Sequence, residues 1–325
     1  MTAVIPVHNR ADLLERLLET MEAQTIPFVE VLAVDNGSTD GAVEVAVDHG
    51  CRVLPMDGNQ GFARAVNAGW RAAQSEWVAV LNTDVELEPL WLERLLAALE
   101  AGTGFATGLI LRHGTTDTVD GTYDLVSRAG CAWRAGHGRN ADYGRGSASI
   151  HIAPATACLY RRDVLEQLGG FDERYESYME DVDLGLRCVG AGISGVYAPG
   201  AIAWHRGSAT FGKWDPRVVR LISRNQLALV ARNYDSTLFR SCLWQILVGQ
   251  LLWGAVATRH GAGLAWIEGK WEALRTFRLE GHPTPELRAF LRESEAEIRR
   301  RAADSYWRWY FRLAGVGSDP GSAAV

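Results

Sequence analysis

The sequence predicts an α/β protein: a mostly parallel sheet flanked by helices, followed by a helical C-terminal extension. Three observations predict it. Short apolar runs alternate with amphipathic stretches through the first two-thirds of the chain, as parallel strands joined by helical crossovers do. The apolar runs are nearly continuous rather than alternating with polar residues, as strands covered on both faces require. After about Trp214 the strand-like runs stop and helical periodicity takes over.

Each element follows from local signals. Thr2 to Val7 (TAVIPV) reads as a buried strand. Asp12 and Glu15 have capping-box spacing before the periodic LLERLLETMEAQ, which predicts a helix. Val29 to Val34 reads as the second strand, and its tail DNGSTDG is rich in turn formers ahead of the short helix AVEVAVDHG. Arg52 to Met56 is the third strand; GNQG and the helix FARAVNAGWRAAQ follow. The fourth strand, Trp77 to Leu81, ends in NTD, and Pro89 suits the first turn of the helix LWLERLLAALEAG. Phe105 to Leu111 is the fifth strand. Residues 112–151 are rich in Gly and Arg and only weakly periodic, which predicts a long functional or mobile loop. IAPATACLYR reads as a strand, Arg162 to Leu168 as a helix and Ile193 to Tyr197 as a strand.

In the later part, CLWQILVGQLLWGAVA is an apolar run of roughly 16 residues, shorter than the ~20 that span a bilayer. Gln245 and Gln250 interrupt it and Arg259 and His260 follow, so it reads as a buried or interfacial helix. A last helix is expected from Pro285 to about Arg312, with residues from Gly315 frayed. The expected division is an α/β domain over 1–213 and a helical region over 214–325, the latter a candidate for membrane-surface or oligomer contact.

Composition narrows the classes of function. With 47% hydrophobic and 22% charged residues, the 325-residue chain is expected to form a packed core. A net charge of −6 argues against a nucleic-acid partner. It leaves room for a single nucleotide whose phosphates a metal ion neutralises. Cys51, Cys131, Cys158, Cys188 and Cys242 form no CxxC pair, so neither a disulfide framework nor a cysteine zinc site is expected, and a reducing cytoplasm fits. The first residues show no basic n-region and no long apolar h-region, so no signal peptide is expected.

A few side chains carry candidate chemistry. Asp84, in LNTDV, follows a central strand, where a carboxylate can help hold magnesium or manganese against a diphosphate; capping the next helix is the plain alternative. Asp35, in VDNGSTD, can accept hydrogen bonds from a base or ribose, or simply form an Asx-turn. Both lie just past strand ends, so both are expected on one rim, where ligands of such sheets bind. Gly61 opens a helix whose first amides could face a pyrophosphate, with Arg64 one turn in; close packing at a tight turn accounts for Gly61 equally well. Glu180, Asp181 and Asp183 cluster in YMEDVDLGLR, as a tuned general base or as acids favoured by a helix N-terminus. Both hold if Asp183 pairs with Arg187 while Asp181 reacts. His205, in AWHRGS, is a candidate metal ligand beside Asp84 or a hydrogen-bonded loop histidine.

Together VIPVHNR, VDNGSTDG, NQGFARAVNAG, LNTDVEL, RRDVLEQLGGFDERYESYMEDVDLGLR and AWHRGSAT, in this order over roughly residues 2–210, resemble the family 2 glycosyltransferases of the GT-A, Rossmann-like fold. The resemblance implies that Asp35 contacts the nucleobase and Asp181 is the base. It matches NTD to the family's D-x-D, with Asn82 in place of the first acid, leaving Asp84 and then His205 for Mg2+ or Mn2+. Val7 and Arg10 lie where the family's first loop lines the nucleotide site. The expected donor-binding set is Val7, Arg10, Asp35, Asn36, Gly61, Arg64, Asn82, Thr83 and Glu180.

DGTYDLVSRAG and AGHGRN resemble the rhamnosyltransferase-like subgroup. That implies an inverting enzyme of cell-surface polysaccharide synthesis with dTDP-rhamnose as the leading donor; UDP-sugars and a furanose donor stay open. The implied acceptor is a saccharide or a polyprenyl-diphosphate-linked saccharide, met in the cytoplasm or at the inner face of the membrane. A homo-oligomer is compatible with this reading. A catalytically silent, sugar- or lipid-binding scaffold is the rival of a different class, against which the retained MEDVD acids and His205 argue. A sugar-1-phosphate nucleotidyltransferase would need a glycine-rich first loop, and PVHNRADLL has no glycine.

Overall fold

The computed structural model describes residues 1–115, 117–207, 212 and 214–315. The chain divides into two compact units: Met1–Asp124 with Arg134–Gly212, and Leu125–Trp133 with the chain after Gly212.

The first unit runs β1 (Thr2–Val7), α1 (Ala11–Glu22), β2 (Glu30–Asp35), α2 (Ala42–Asp48), β3 (Arg52–Pro55), α3 (Phe62–Ala72), β4 (Trp77–Leu81), β5 (Val85–Leu87), α4 (Trp91–Ala97) and β6 (Phe105–Arg112). After β6 come β7 (Val119–Gly121), then β8 (Asp124–Val126) and β9 (Ala132–Arg134), of which only Asp124 and Arg134 belong to this unit, then β10 (Ala148–Ile150), β11 (Ala157–Arg161), α5 (Arg162–Leu168), α6 (Glu180–Gly190) and β12 (Gly195–His205). The main sheet has the order β10-β12-β6-β11-β4-β1-β2-β3, with β5 added on β12 and β7 on β6. Strands β3, β2, β1 and β4 are mutually parallel, and β6 is parallel to β12. Strand β11 runs antiparallel between β4 and β6. The central sheet expected from the alternating pattern is therefore observed, with β3, β2, β1, β4, β6 and β12 pointing one way and β5, β7, β10 and β11 the other.

The pleat of β1 shows how the sheet is covered, because successive side chains point to opposite faces. Val4 joins Ala65, Val66 and Trp70 of α3, Leu165 of α5 and Leu184 of α6 in one core. Ala3, Ile5 and Val7 join Leu14 and Leu17 of α1, Ala42 of α2 and Trp91 of α4 in the other. Burial on both faces is why the strands read as unbroken apolar runs.

Several local expectations are corrected. The capping box at Asp12 does not form. Arg10 is the N-cap, in left-handed backbone, and the Ala11 amide donates to Asp40 Oδ2 at 3.1 Å. Strand β5 intervenes after NTD, so Pro89 precedes α4 instead of entering its first turn. The 112–151 segment is not one loop: β7, β8, β9 and β10 lie within it. Strands this short carry too few apolar positions to show a period.

The second unit holds α7 (Pro216–Asn233), α8 (Ser236–Ser241), α9 (Leu243–Arg259), α10 (Gly263–Thr276), α11 (Pro285–Arg301) and α12 (Ser305–Leu313). The expected last helix is broken where Ala302 turns extended, at φ −70° and ψ 130°, which lets α12 bury Trp307 and Tyr310. Leu125–Trp133 belongs to this unit because Ser294 donates to Val126 O and accepts from Val126 N, and Arg128 pairs with Glu295. The expected fraying of the C-terminus falls on 316–325, outside the described residues, as do Ser208, Ala209 and Thr210 of AWHRGSAT. Among the described residues no helix is long and apolar enough to cross a membrane.

Candidate active site

Parallel strands β1, β2 and β4 bring Val7, Asp35 and Leu81 to the same edge of the sheet, with Val7 directly opposite Asp35. The NTD turn leaves from Leu81. Strand β5 then pairs antiparallel with β12, and Val85 lies opposite His205. This pairing draws together two residues more than a hundred positions apart. His205 Nε2 is 3.3 Å from Asp84 Oδ1, and the Arg206 amide donates to Asp84 O at 3.0 Å.

The other ring nitrogen of His205, Nδ1, lies 2.8 Å from Asp120 Oδ2. Asp120 sits on β7 and was not singled out in the sequence. Burial disfavours charge on the imidazole, but the hydrogen bonds to Asp120 and Asp84 outweigh it and lift its pKa to about 9. Burial likewise pushes Asp120 up, yet the bond to His205 leaves it below the ordinary carboxylate value.

A divalent cation fits this chemistry. Among the described residues no group of three or more His, Cys, Asp or Glu forms a ready-made cage. Magnesium and manganese do not need one, since they are held by one or two protein ligands together with substrate phosphates. Asp84 and His205 supply such a pair, and Asn82 Oδ1, two residues before Asp84, is buried without a hydrogen-bond partner.

Asp181 enters from the first turn of α6. Its Oδ2 accepts from the Ala155 amide at 3.1 Å and its Oδ1 from the Val182 amide at 2.8 Å. The next residue, Thr156, accepts from the Asn82 amide at 3.0 Å. The dipeptide ahead of β11 therefore ties Asp181 to the NTD turn. Arg134 grips Asp124 through two hydrogen bonds of 3.0 Å and lies 4.0 Å from Asp181. Burial and the Asp124 charge raise the proton affinity of Asp181, against the pull of Arg134. Glu180 is raised well above the ordinary value by burial and by Asp181, and its Oε2 has no hydrogen-bond partner. Asp183 points elsewhere: it is fully buried and paired with Arg187 at 2.7 Å.

The nucleotide side is more heavily tied up. Asp35 Oδ1 accepts from the Ser38 amide at 2.8 Å, the Asx-turn arrangement. Asn36 braces the neighbouring loop, accepting from Gln60 N at 2.8 Å and donating to Asn59 Oδ1 and Gly61 O, both at 3.2 Å. The amides at the start of α3 are not open to a pyrophosphate: Phe62 N donates to Ser177 Oγ and Ala63 N to Glu176 O. Gly61 instead allows close approach, at φ +87°, because an added Cβ would lie 2.9 Å from Glu176 O. Arg64 is held by Glu173 at 3.1 Å and Gln60 at 3.0 Å. Arg10 bonds Asp12, which raises its pKa, and Asp84 adds to the field around it. Thr83 occupies the turn between Asn82 and Asp84.

Left-handed backbone outside glycine marks the same places. Among the described residues it occurs only at Asn9 and Arg10, after β1, and at Glu176, Tyr178 and Met179, just before α6. Such strain persists only where the surroundings enforce it, and it gathers at ligand sites.

Asp120, Asp124 and Arg134 are the residues that sequence reasoning missed. Asp120 and Asp124 stand at the two ends of DGTYD, which carries a subgroup likeness but no roles, and Arg134 lies outside every motif.

The model of the Glycosyl transferase family 2 matches residues 2–169. The chain belongs to that family. An N-acetylglucosaminyl-diphospho-decaprenol L-rhamnosyltransferase of Mycobacterium tuberculosis is 33% identical over 247 residues, covering 66% of this chain and 80% of the relative. Glycosyltransferase AglE of Haloferax volcanii is 29% identical over 261 residues, covering 77% of this chain and 81% of the relative. Among solved structures, a mannosyltransferase from Pyrobaculum calidifontis in complex with GDP-Man and Mn2+ superposes with a TM-score of 0.54 at 16% identity, covering 97% of this chain and 85% of that one. The fold is thus the GT-A fold, and this chain is a family 2 glycosyltransferase with rhamnosyltransferase-like relatives.

Proposed function

We propose that this glycosyltransferase is a metal-dependent, inverting enzyme of surface polysaccharide synthesis. It moves a sugar, with L-rhamnose from dTDP-rhamnose the leading donor, to a hydroxyl of a polyprenyl-diphosphate-linked saccharide. The observation that carries the reading is the Ala155–Thr156 bridge, which holds a buried carboxylate of raised proton affinity, Asp181, next to the turn that bears Asp84. A base needs that raised affinity to take a hydroxyl proton, and it must stand near the departing phosphates. The mycobacterial relative, an L-rhamnosyltransferase named for a diphospho-decaprenol acceptor, supports both rhamnose and a lipid-linked acceptor.

In the proposed step the acceptor oxygen bonds to the anomeric carbon as the carbon–oxygen bond to the diphosphate breaks. The bonding pair leaves with the nucleoside diphosphate, and the hydroxyl proton passes to Asp181. Asp84 and His205 would hold the divalent cation, whose chemistry is to neutralise the leaving diphosphate. Asp35 would receive the base or ribose; Val7, Arg10 and Thr83 would line the donor; Asn82 and Glu180 would offer their unpartnered oxygens to it. Five buried free cysteines fit a reducing, cytoplasmic location.

Asp181→Asn tests the base. Transfer from dTDP-rhamnose should fall by about 10²- to 10⁴-fold, while donor affinity measured by calorimetry holds. Near-normal transfer removes Asp181 from the role. EDTA should abolish transfer and Mn2+ or Mg2+ restore it; full activity in EDTA removes Asp84 and His205 from theirs.

A further inference from the structure

The helical unit is amphipathic the wrong way round for water. Helix α10 buries Ala265, Gly269 and Ala273, and Gly269 sits so close to α7 that a Cβ would lie 2.2 Å from Arg220 O. Its large side chains face out: Leu264, Ile267, Trp271 and Leu274 form one stripe at helical spacing and are 54–78% exposed. Helix α9 packs through Ile246, Gly249, Gly254 and Ala257 and exposes Leu243, Trp244, Leu247 and Leu251. From Leu243 to Thr258 it carries no charged residue. Helix α12 adds Trp309 and Leu313, and Leu313 O accepts from Trp244 Nε1 at 2.9 Å.

At about 200 Å² per large side chain, this exposed apolar surface is on the order of 1,000 Å², against about 300–600 Å² for the largest patch of an ordinary monomer. A protein partner would want hydrogen-bonding groups spaced across it. Before Thr258 the only such group at the exposed positions of α9 is the Trp244 indole N–H, already taken by Leu313 O. Beside the apolar residues, exposed arginines outnumber the exposed acids Glu268, Glu280 and Asp304. Arg275 lies over Trp271 at 4.4 Å and Arg312 over Trp309 at 5.3 Å, with Arg259, Arg278 and Arg308 also exposed. Glu268 is the single exposed acid of α10. The charge of the whole chain is divided the same way: residues 214–325 hold sixteen Lys and Arg against eleven Asp and Glu, a net +5, while residues 1–213 carry −11.

We infer that α9, α10 and α12 form a docking face for an anionic lipid surface. The leucines, Ile267 and tryptophans enter the boundary between headgroups and acyl chains, and the arginines lie at headgroup level. None of these three helices spans; they rest in the interface plane, where binding scales with apolar area and with attraction to anionic lipid. The inference goes beyond the transfer reading and does not depend on it.

The test is flotation of the full chain with vesicles of phosphatidylglycerol and phosphatidylcholine, and with phosphatidylcholine alone. The protein should float with the anionic vesicles and bind the neutral ones about ten-fold more weakly. The triple variant Leu247→Ser/Leu251→Ser/Trp271→Ser should lose about ten-fold in binding and keep its melting temperature, since all three side chains are exposed. Leu274→Glu, a single exposed change, should weaken binding in the same way if the triple variant folds poorly. Absence of flotation with anionic vesicles overturns the inference. So does a wild-type dimer in sedimentation velocity that the triple variant converts to monomer, because the face would then join two copies. No donor, acceptor or metal enters these assays, so their failure leaves the transfer reading standing.

Discussion

Asp120 Oδ2 stands 2.8 Å from His205 Nδ1, and the imidazole so held turns Nε2 toward Asp84. A carboxylate behind a histidine fixes the ring and increases its basicity, and removing such a partner lowers metal affinity by about 10- to 100-fold. Asp120→Asn keeps the size and removes the charge. Mn2+ affinity, read by electron paramagnetic resonance, should fall by about that factor, with the fold intact by circular dichroism. Unchanged affinity would mean that Asp120 is not a positioning residue.

Gly61 and Gly41 make a controlled pair. Gly61 has φ +87° and no room for a Cβ beside Glu176, whereas Gly41 has φ −75° and nothing within 4 Å. Gly61→Ala should cost about 1–3 kcal/mol and lower donor affinity, because it pushes on the strained segment that leads into Asp181. Gly41→Ala should be close to neutral. Equal urea midpoints for the two variants would refute the packing account of Gly61.

How much was legible in the sequence follows from which physical signals are local. Buried parallel strands advertise themselves as apolar runs, so β1, β2, β4 and β6 could be read directly, as could the strand-end positions of Asp35 and Asp84. The pairing of Asp183 with Arg187 was also readable, since four residues on a helix bring side chains together. Asp120, Asp124 and Arg134 were not, because their strands have three residues each, and His205 and Asp181, which Asp120 and Arg134 approach, lie far along the chain. The open amides expected at Gly61 failed for a similar reason: Glu176 and Ser177, which take them up, are over a hundred residues away. The reach of Leu125–Trp133 into the helical unit rests on Ser294 and Glu295, and no local pattern announces it.

Asp181 and Asp183 should separate activity from stability. Asp183 is fully buried and satisfied by Arg187 at 2.7 Å and by the Tyr175 hydroxyl at 3.3 Å. Arg187 also donates to Leu168 O and Gly170 O, each at 2.8 Å. Asp183→Asn leaves that guanidinium without its counter-charge and should cost about 3–5 kcal/mol. Asp181 is the reverse case. Its raised folded pKa means that its charge at neutral pH opposes folding, a cost that grows as pH rises through that value. Asp181→Asn should therefore be neutral or stabilising while activity collapses. Thermal melts of the two variants side by side check this; a similar loss in both would show Asp181 to be structural.

Lys270 sets the pH dependence of the helical unit. Its ammonium donates to Ser223 O at 2.5 Å, to Gln226 Oε1 at 3.1 Å and to Gln250 Oε1. All three acceptors are neutral. Burial without a counter-charge pulls its pKa down from 10.5 to about 7. Between these values the unfolded chain holds a proton that the folded chain has released, so stability rises with pH across that window. Moving from pH 6 to pH 8 stays below the range of an ordinary thiol and should gain about 1 kcal/mol from this residue. Lys270→Met keeps the chain length and removes the charge. It should raise the urea midpoint at pH 6 and flatten the pH 6-to-8 difference relative to wild type. A pH dependence unaltered by the substitution would mean that Lys270 keeps its proton throughout.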